Sequence, residues 1–151
     1  MYVGSTKSLI GRLKFSGAQS AAREMAVILH NSQILAGNCI IVPVPTATSR
    51  VRRRGYDQAK LLARNIAKQY GLPYLDCLAR SGQAHQVGAR RQQRLHQLSS
   101  AYRLKAATSV HDLRIVLVDD VVTTGATLEA AAKCLREAGA KRVEGVVFAQ
   151  A

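Results

Sequence analysis

The chain has 151 residues, 48% of them hydrophobic, and carries 22 Lys and Arg against 9 Asp and Glu, a net charge of +13. Such a length and composition suit one folded domain with a single core and exclude a low-complexity chain. Its apolar runs are strand-sized, far below the ~20 residues of a membrane span, and Cys39, Cys77 and Cys134 lack the CxxC spacing of zinc or redox sites. The opening segment "MYVGSTKSLIGRLKF" is interspersed with charge and has no signal-peptide core, so a cytoplasmic location is expected. From Ala18 to Asn31, apolar residues at Ala18, Ala21, Ala22, Met25, Ala26 and Leu29 form a helical stripe. "NCIIVPVP" follows as a buried strand, ended by prolines that cannot donate to a sheet. "DQAKLLARNIAKQY" repeats the stripe through Ala59, Leu62, Ala63, Ile66, Ala67 and Tyr70, and Gly71 stops it. "LPYLDCLA" reads as a second strand and "LRIVLVDD" as the strongest one. "TLEAAAKCLREAG" reads as a helix turning Leu128, Ala131, Ala132 and Leu135 inward, and "KRVEGVVFA" as a last strand.

Strands alternating with helices predict an α/β fold with a mainly parallel sheet flanked by helices. Near-continuous apolar strands fit a sheet covered on both faces. Between about Ser81 and Ala101 the periodicity dissolves into Gln, Arg and His. Connections of that length are usually functional or disordered. The charge excess points to a polyanionic partner, nucleic acid or a phosphorylated metabolite; the alternative is a solvated basic surface.

The chemistry concentrates in "IVLVDDVVTTGAT", Ile115–Thr127. Asp119 and Asp120 stand at the end of an apolar strand, where open α/β sheets bind their ligands. The turn after them leads into a helix whose first N–H groups and positive dipole end favour an anion. Thr123, Thr124 and Thr127 add hydroxyl donors, and Gly125 lets the backbone approach a ligand closely. The stretch therefore offers acceptors for sugar hydroxyls or a metal ion, followed by a cradle for a phosphate. A phosphorylated ribose needs both. An ordinary helix cap beside a solvated acidic pair is the alternative. Neither GxxxxGK[ST] nor GxGxxG occurs.

"VLVDDVVTTGAT" resembles the phosphoribosyl pyrophosphate (PRPP) motif of type I phosphoribosyltransferases, and its TTGAT version is most similar to the ComF/GntX group. "LIGRLKF", "VPVPTATSRVRRRGYDQAKLLA" and "HQVGARRQQRLHQLSSAY" resemble that group's other blocks, in order, over nearly the whole chain. The resemblance implies a single domain over 1–151, with an N-terminal helical segment at about 1–36 and a PRPP-binding core at about 37–151. It implies a type I phosphoribosyltransferase-like core, PRPP as substrate and Mg²⁺ with it. Asp119 and Asp120 would lie on the ribose side and reach Mg²⁺ through it. Thr123, Thr124, Gly125, Ala126 and Thr127 would hold the 5′-phosphate. Arg54 and Gly55 would belong to the pyrophosphate-side loop after the first core strand. "HQVGARRQQR" resembles the catalytic loop that closes over PRPP, which makes Arg90, Arg91 and Arg94, with His85, candidates for neutralising the leaving pyrophosphate. Arg50, Arg52 and Arg53 are left for a nucleic-acid surface, and Tyr56 for base stacking or packing.

The chain departs from the group's pattern in three places. The four-cysteine zinc finger common among members is absent, so no zinc is expected here. Gln97 stands where the third block usually has Asn. Thr123 stands where purine-salvage relatives carry a third acid, which argues against 6-oxopurine salvage. The group is associated with DNA uptake in transformation and with use of DNA as a nutrient. Two functions follow: a phosphoribosyltransferase whose acceptor is unassigned, or a non-catalytic single-stranded-DNA-handling protein that keeps the PRPP fold. A transcriptional regulator on the same fold ranks behind both, because no helix-turn-helix is evident.

Overall fold

The computed structural model describes residues 3–14, 17–35, 37–81 and 101–150. In chain order the elements are α1 (Val3–Lys14), α2 (Ala18–Asn31), β1 (Ile40–Pro43), α3 (Thr48–Arg54), α4 (Gln58–Tyr70), β2 (Leu78–Arg80), β3 (Tyr102–Leu104), β4 (Arg114–Val122), α5 (Ala126–Glu137) and β5 (Arg142–Gln150). The main sheet has the order β1-β4-β5 and is parallel throughout, with Ile41 opposite Val116 and Val116 opposite Glu144. Strands β2 and β3 form a separate antiparallel pair.

The central strand explains the layering. Successive side chains of a strand point to opposite faces, and Ile115–Val118 is apolar at every position, so both faces must be covered. Val116 and Val118, with Ile41, pack into one core with Met25 of α2 and with Leu62 and Ile66 of α4. Ile115 and Leu117, with Val42 and Val44, pack into a second core with Ala131 and Leu135 of α5 and with Leu78 and Tyr102 of the antiparallel pair. The helical stripes expected of α2 and α4 are buried as read, except that Ala18 and Tyr70 are only partly covered. On α5, Ala130 joins the buried set and Leu128 is only partly covered.

Three elements differ from the sequence reading. The segment "LPYLDCLA" is not one strand of the main sheet. Tyr74 makes a single parallel bridge to Ile41, with Ile41 N donating to Pro73 O at 2.9 Å and Leu75 N to Ile41 O at 2.9 Å; the chain then leaves to form β2. Asp76 marks the departure. Its carboxylate pairs with Lys60 Nζ at 2.8 Å and Lys105 Nζ at 2.7 Å, off the sheet. Burial pushes that carboxyl up, but the two lysines outweigh burial and hold it below its ordinary value.

The arginine run read as a loop is helical from Thr48 to Arg54. Arginine is a good helix former, and Gly55, at φ 80°, ends the helix in the left-handed region that glycine occupies freely. Strand β4 also runs past the carboxylate pair to Val122, so Asp119 and Asp120 lie inside its last turns of pleat rather than at its terminus. None of the described helices is long and apolar enough to cross a membrane.

Candidate functional site

The carboxyl-terminal ends of β1 and β4 open into a cleft of about 510 Å³. One wall is built from β4 and the turn after it. Asp119 Oδ1 accepts from Asp120 N at 2.8 Å, and Asp120 Oδ1 accepts from Val121 N at 2.9 Å. These contacts fix the rotamers of both carboxylates while leaving their second oxygens free of protein donors among the described residues. Burial, and after it the neighbouring charge of Asp120, together push the Asp119 carboxyl up to about 7. A part-buried acid beside a second acid is an unfavourable arrangement that a hydroxyl donor or a cation would relieve.

Beyond the pair, Gly125 at φ 76° turns the chain into α5, and no side chain caps that helix. Among the described residues, the side-chain contact at this helix start is a long one, Ala126 N donating to Thr124 Oγ1 at 3.4 Å. Thr123 and Thr127 line the cleft. Thr124, Gly125 and Ala126 do not, although they form the turn itself.

The opposite wall comes from α3, the start of α4 and β2. Arg50, Arg53, Arg54 and Arg80 line it, together with Thr46 and Gln58. Arg52 and Gly55 are not among the lining residues. Asp57 pins this wall to the sheet. Its carboxylate caps α4 by accepting from Lys60 N at 3.2 Å, and it accepts from Thr46 N at 3.2 Å and Thr46 Oγ1 at 3.0 Å. Thr46 follows β1 almost directly, so one capping residue sets the helix start against the strand end. Arg80 stacks over the ring of Tyr102, with its guanidinium carbon 6.0 Å from the centroid. Burial raises the Tyr102 phenol, Arg80 opposes that shift, and Asp119 and Asp57 add to it. Its hydroxyl is buried without a partner among the described residues.

Of the residues singled out from sequence, the structure gathers Asp119, Asp120, Thr123 and Thr127 on one wall, with Arg50, Arg53 and Arg54 facing them. Tyr56 is a packing residue: its hydroxyl donates to Leu13 O at 2.7 Å, tying the Arg-Gly turn to α1. His85, Arg90, Arg91, Arg94 and Gln97 lie outside the described residues. Sequence reasoning missed Thr46, Gln58, Arg80 and Tyr102. Gln58 alone had a signal, since it closes the Arg-Gly-aromatic-Asp-Gln block.

No group of three or more His, Cys, Asp or Glu side chains among the described residues could hold a metal ion. Two carboxylates fit a cation that brings its remaining ligands with it, as a metal bound to ligand oxygens does. Cys39 and Cys77 are buried, and burial pushes the Cys77 thiol up to about 11, so it stays protonated and unreactive at neutral pH.

Comparison with known proteins gives a consistent result. Residues 18–151 match the family described as Phosphoribosyl transferase domain. Competence protein F of Haemophilus influenzae is 30% identical over 153 residues, covering 95% of this chain and 67% of that protein. DNA utilization protein YhgH of Salmonella typhi is 30% identical, with 95% and 66% covered. Competence protein ComFC of Bacillus subtilis is 36% identical over 100 residues, 66% of this chain and 39% of that protein. The chain thus spans about two thirds or less of these relatives' lengths. Among solved structures, an allosteric regulatory enzyme of purine biosynthesis superposes with a TM-score of 0.62 at 20% identity, over 86% of this chain and 26% of that one. A glutamine PRPP amidotransferase from B. subtilis gives 0.59 at 20% identity with the same coverage. These superpositions establish the fold, a parallel sheet with flanking helices of the phosphoribosyltransferase type.

Proposed function

The chain belongs to the phosphoribosyl transferase domain family, within its ComF group, and from that membership we propose that its cleft binds PRPP and supports phosphoribosyl transfer. The observation that carries this reading is the pairing of opposite chemistries across one cleft. Asp119 and Asp120 stand beside an uncapped helix start, and three arginines of "SRVRRR" face them. PRPP carries ribose hydroxyls between a 5′-phosphate and a pyrophosphate, so it needs acceptors flanked by two anion sites. In this reading the carboxylates accept from the 2′- and 3′-hydroxyls. The turn from Thr123 to Thr127 holds the 5′-phosphate, and Arg54 with its neighbours holds the pyrophosphate.

The reaction moves ribose 5-phosphate from pyrophosphate to an acceptor. As the C1–oxygen bond breaks, its electron pair leaves with pyrophosphate, and the acceptor supplies the pair for the new bond at C1. Cations on the arginine wall stabilise the charge that develops on the leaving group, where guanidinium forks suit phosphate oxygens. Arg90, Arg91 and Arg94 are assigned the same task from the family resemblance. Mg²⁺, when bound with PRPP, would neutralise ligand phosphate charge, with Asp119 and Asp120 meeting it through the ribose. The carboxylate pair orients the sugar and excludes alternative poses. We read residues 1–151 as one such domain acting in the cytoplasm, with the core at about 37–151.

Relatives named for competence and DNA utilization extend the proposal to DNA uptake or utilisation. One observation favours a second reading, a DNA-handling protein. Arg52 is exposed and off the cleft wall, on a helix where Arg50 and Arg53 are also exposed. Such a surface binds single-stranded DNA mainly through counterion release, with weak base preference. Anisotropy of a labelled oligonucleotide should then fall steeply with salt; no binding at low salt would remove the second reading. The first reading is tested by calorimetry. PRPP with Mg²⁺ should bind the wild type, and Asp120→Asn should lose about 1–3 kcal/mol, as for hydrogen bonds to charged groups. Unchanged affinity in the Asp119→Asn, Asp120→Asn double variant would overturn it.

A further inference from the structure

Gln58 is the one buried polar side chain among the described residues, at 3% exposure, and it lines the cleft. It opens α4, where a solvent-facing polar residue would be ordinary. Its Oε1 accepts a short hydrogen bond from Arg54 Nη1. Two donors remain: Gln58 Nε2 and Arg54 Nε are both buried, and neither has a partner among the described residues. A buried donor without an acceptor is costly, so native proteins rarely leave one unless a ligand, ion or water completes it. Here two such donors belong to hydrogen-bonded neighbours that line one wall of the cleft, where a single ligand can bring oxygen acceptors to both.

We infer that Gln58 is a positioning residue: it holds the Arg54 guanidinium by its amide oxygen, so that its own N–H and that of Arg54 Nε meet phosphate oxygens together. The geometry requires an amide at this position. A carboxylate could hold the guanidinium equally well but would repel the anion. An apolar side chain of the same size would leave Arg54 free to rotate and would remove a donor. The chemical class of the ligand group is a phosphate or pyrophosphate, because guanidinium and amide donors converge on oxygen acceptors and the wall is otherwise cationic. The assignment of that group to the pyrophosphate of PRPP rests on the function proposed above; the donor pair itself does not.

The test uses inorganic pyrophosphate and ribose 5-phosphate as separate probes on the full chain, by calorimetry. Gln58→Met should weaken pyrophosphate binding roughly tenfold, the scale of one charge-assisted hydrogen bond, and leave ribose 5-phosphate within about twofold. Gln58→Glu should weaken pyrophosphate at least as much while keeping the Arg54 contact. In a double-mutant cycle, Arg54→Ala and Gln58→Met should be strongly non-additive for pyrophosphate, since each removes what the other needs. Unchanged pyrophosphate affinity in both Gln58 variants would overturn the inference, and so would additive losses. Equal loss of both probes would also overturn it, since that outcome marks a general structural defect. If pyrophosphate binds in a Gln58-dependent way but PRPP and ribose 5-phosphate do not, the donor pair stands and the PRPP reading fails. If ribose 5-phosphate binds and pyrophosphate does not, the donor pair fails and the sugar side stands.

Discussion

The two walls of the cleft are made by different means. The β4–α5 wall is local: the carboxylates, the threonines and the helix start all come from one stretch, and each of its constraints is set by residues one or two positions away. The α3–α4 wall is assembled from afar. Thr46 reaches Asp57, Arg54 is held by Gln58, and Arg80 arrives from a different sheet on the ring of Tyr102. A ligand site can therefore be half motif and half convergence. The local half is set within its own stretch of chain, while the assembled half depends on packing of the whole α/β core.

This contrast predicts a graded response to substitution. The largest effect is expected on the assembled wall. Arg54→Ala should weaken PRPP binding by about 2–3 kcal/mol, because it removes a charged donor and frees Gln58. Arg52→Ala, two residues away on the same helix but off the wall, should change it by no more than about 0.5 kcal/mol. Titration calorimetry of both variants against PRPP checks the pair, and equal losses would mean that the helix acts only through its net charge.

Stability should move in the opposite direction on the acidic wall. Asp119 holds its proton to about pH 7 in the folded protein and to only about pH 4 when unfolded. The folded state therefore binds the extra proton between those limits, and wild-type stability falls as pH rises through this window. Without ligand, Asp119→Asn removes the penalty. It should be more stable than wild type at pH 8, by on the order of 2 kcal/mol after discounting for charge shared with Asp120. The gain should vanish near pH 4. Thermal melts across that range decide it, and a variant less stable than wild type at pH 8 would show that the carboxylate is satisfied inside the protein. The smallest effect should come from Gly125→Ala. Nothing lies within 4 Å of an added Cβ, so the cost is that of the left-handed backbone at φ 76°, about 1 kcal/mol. Chemical denaturation reads it directly.

The same contrast explains what the sequence made legible. Ile115–Val118 declares a doubly covered strand by being apolar at every position. The carboxylate pair is legible because two of only nine acids stand together against it. Helices α2 and α4 declare themselves through buried stripes. Helix α3 has no buried residue, so its helicity rests on arginine propensity and the Gly55 stop, neither of which produces a period. "LPYLDCLA" carries enough apolar residues for a strand. Its division at Asp76 depends on two lysines brought from α4 and from beyond β3. The burial of Gln58 and the cation–ring contact of Arg80 are consequences of tertiary packing, and no local pattern encodes them.

A crystal soak with PRPP and Mg²⁺ tests the division of labour between the walls most directly. The ribose should lie over Asp119 and Asp120, with the 5′-phosphate at the Thr123–Thr127 turn and the pyrophosphate against Arg54 and Gln58. A pyrophosphate bound at the threonine turn, or a ribose remote from the carboxylate pair, would contradict the assignment of the two walls.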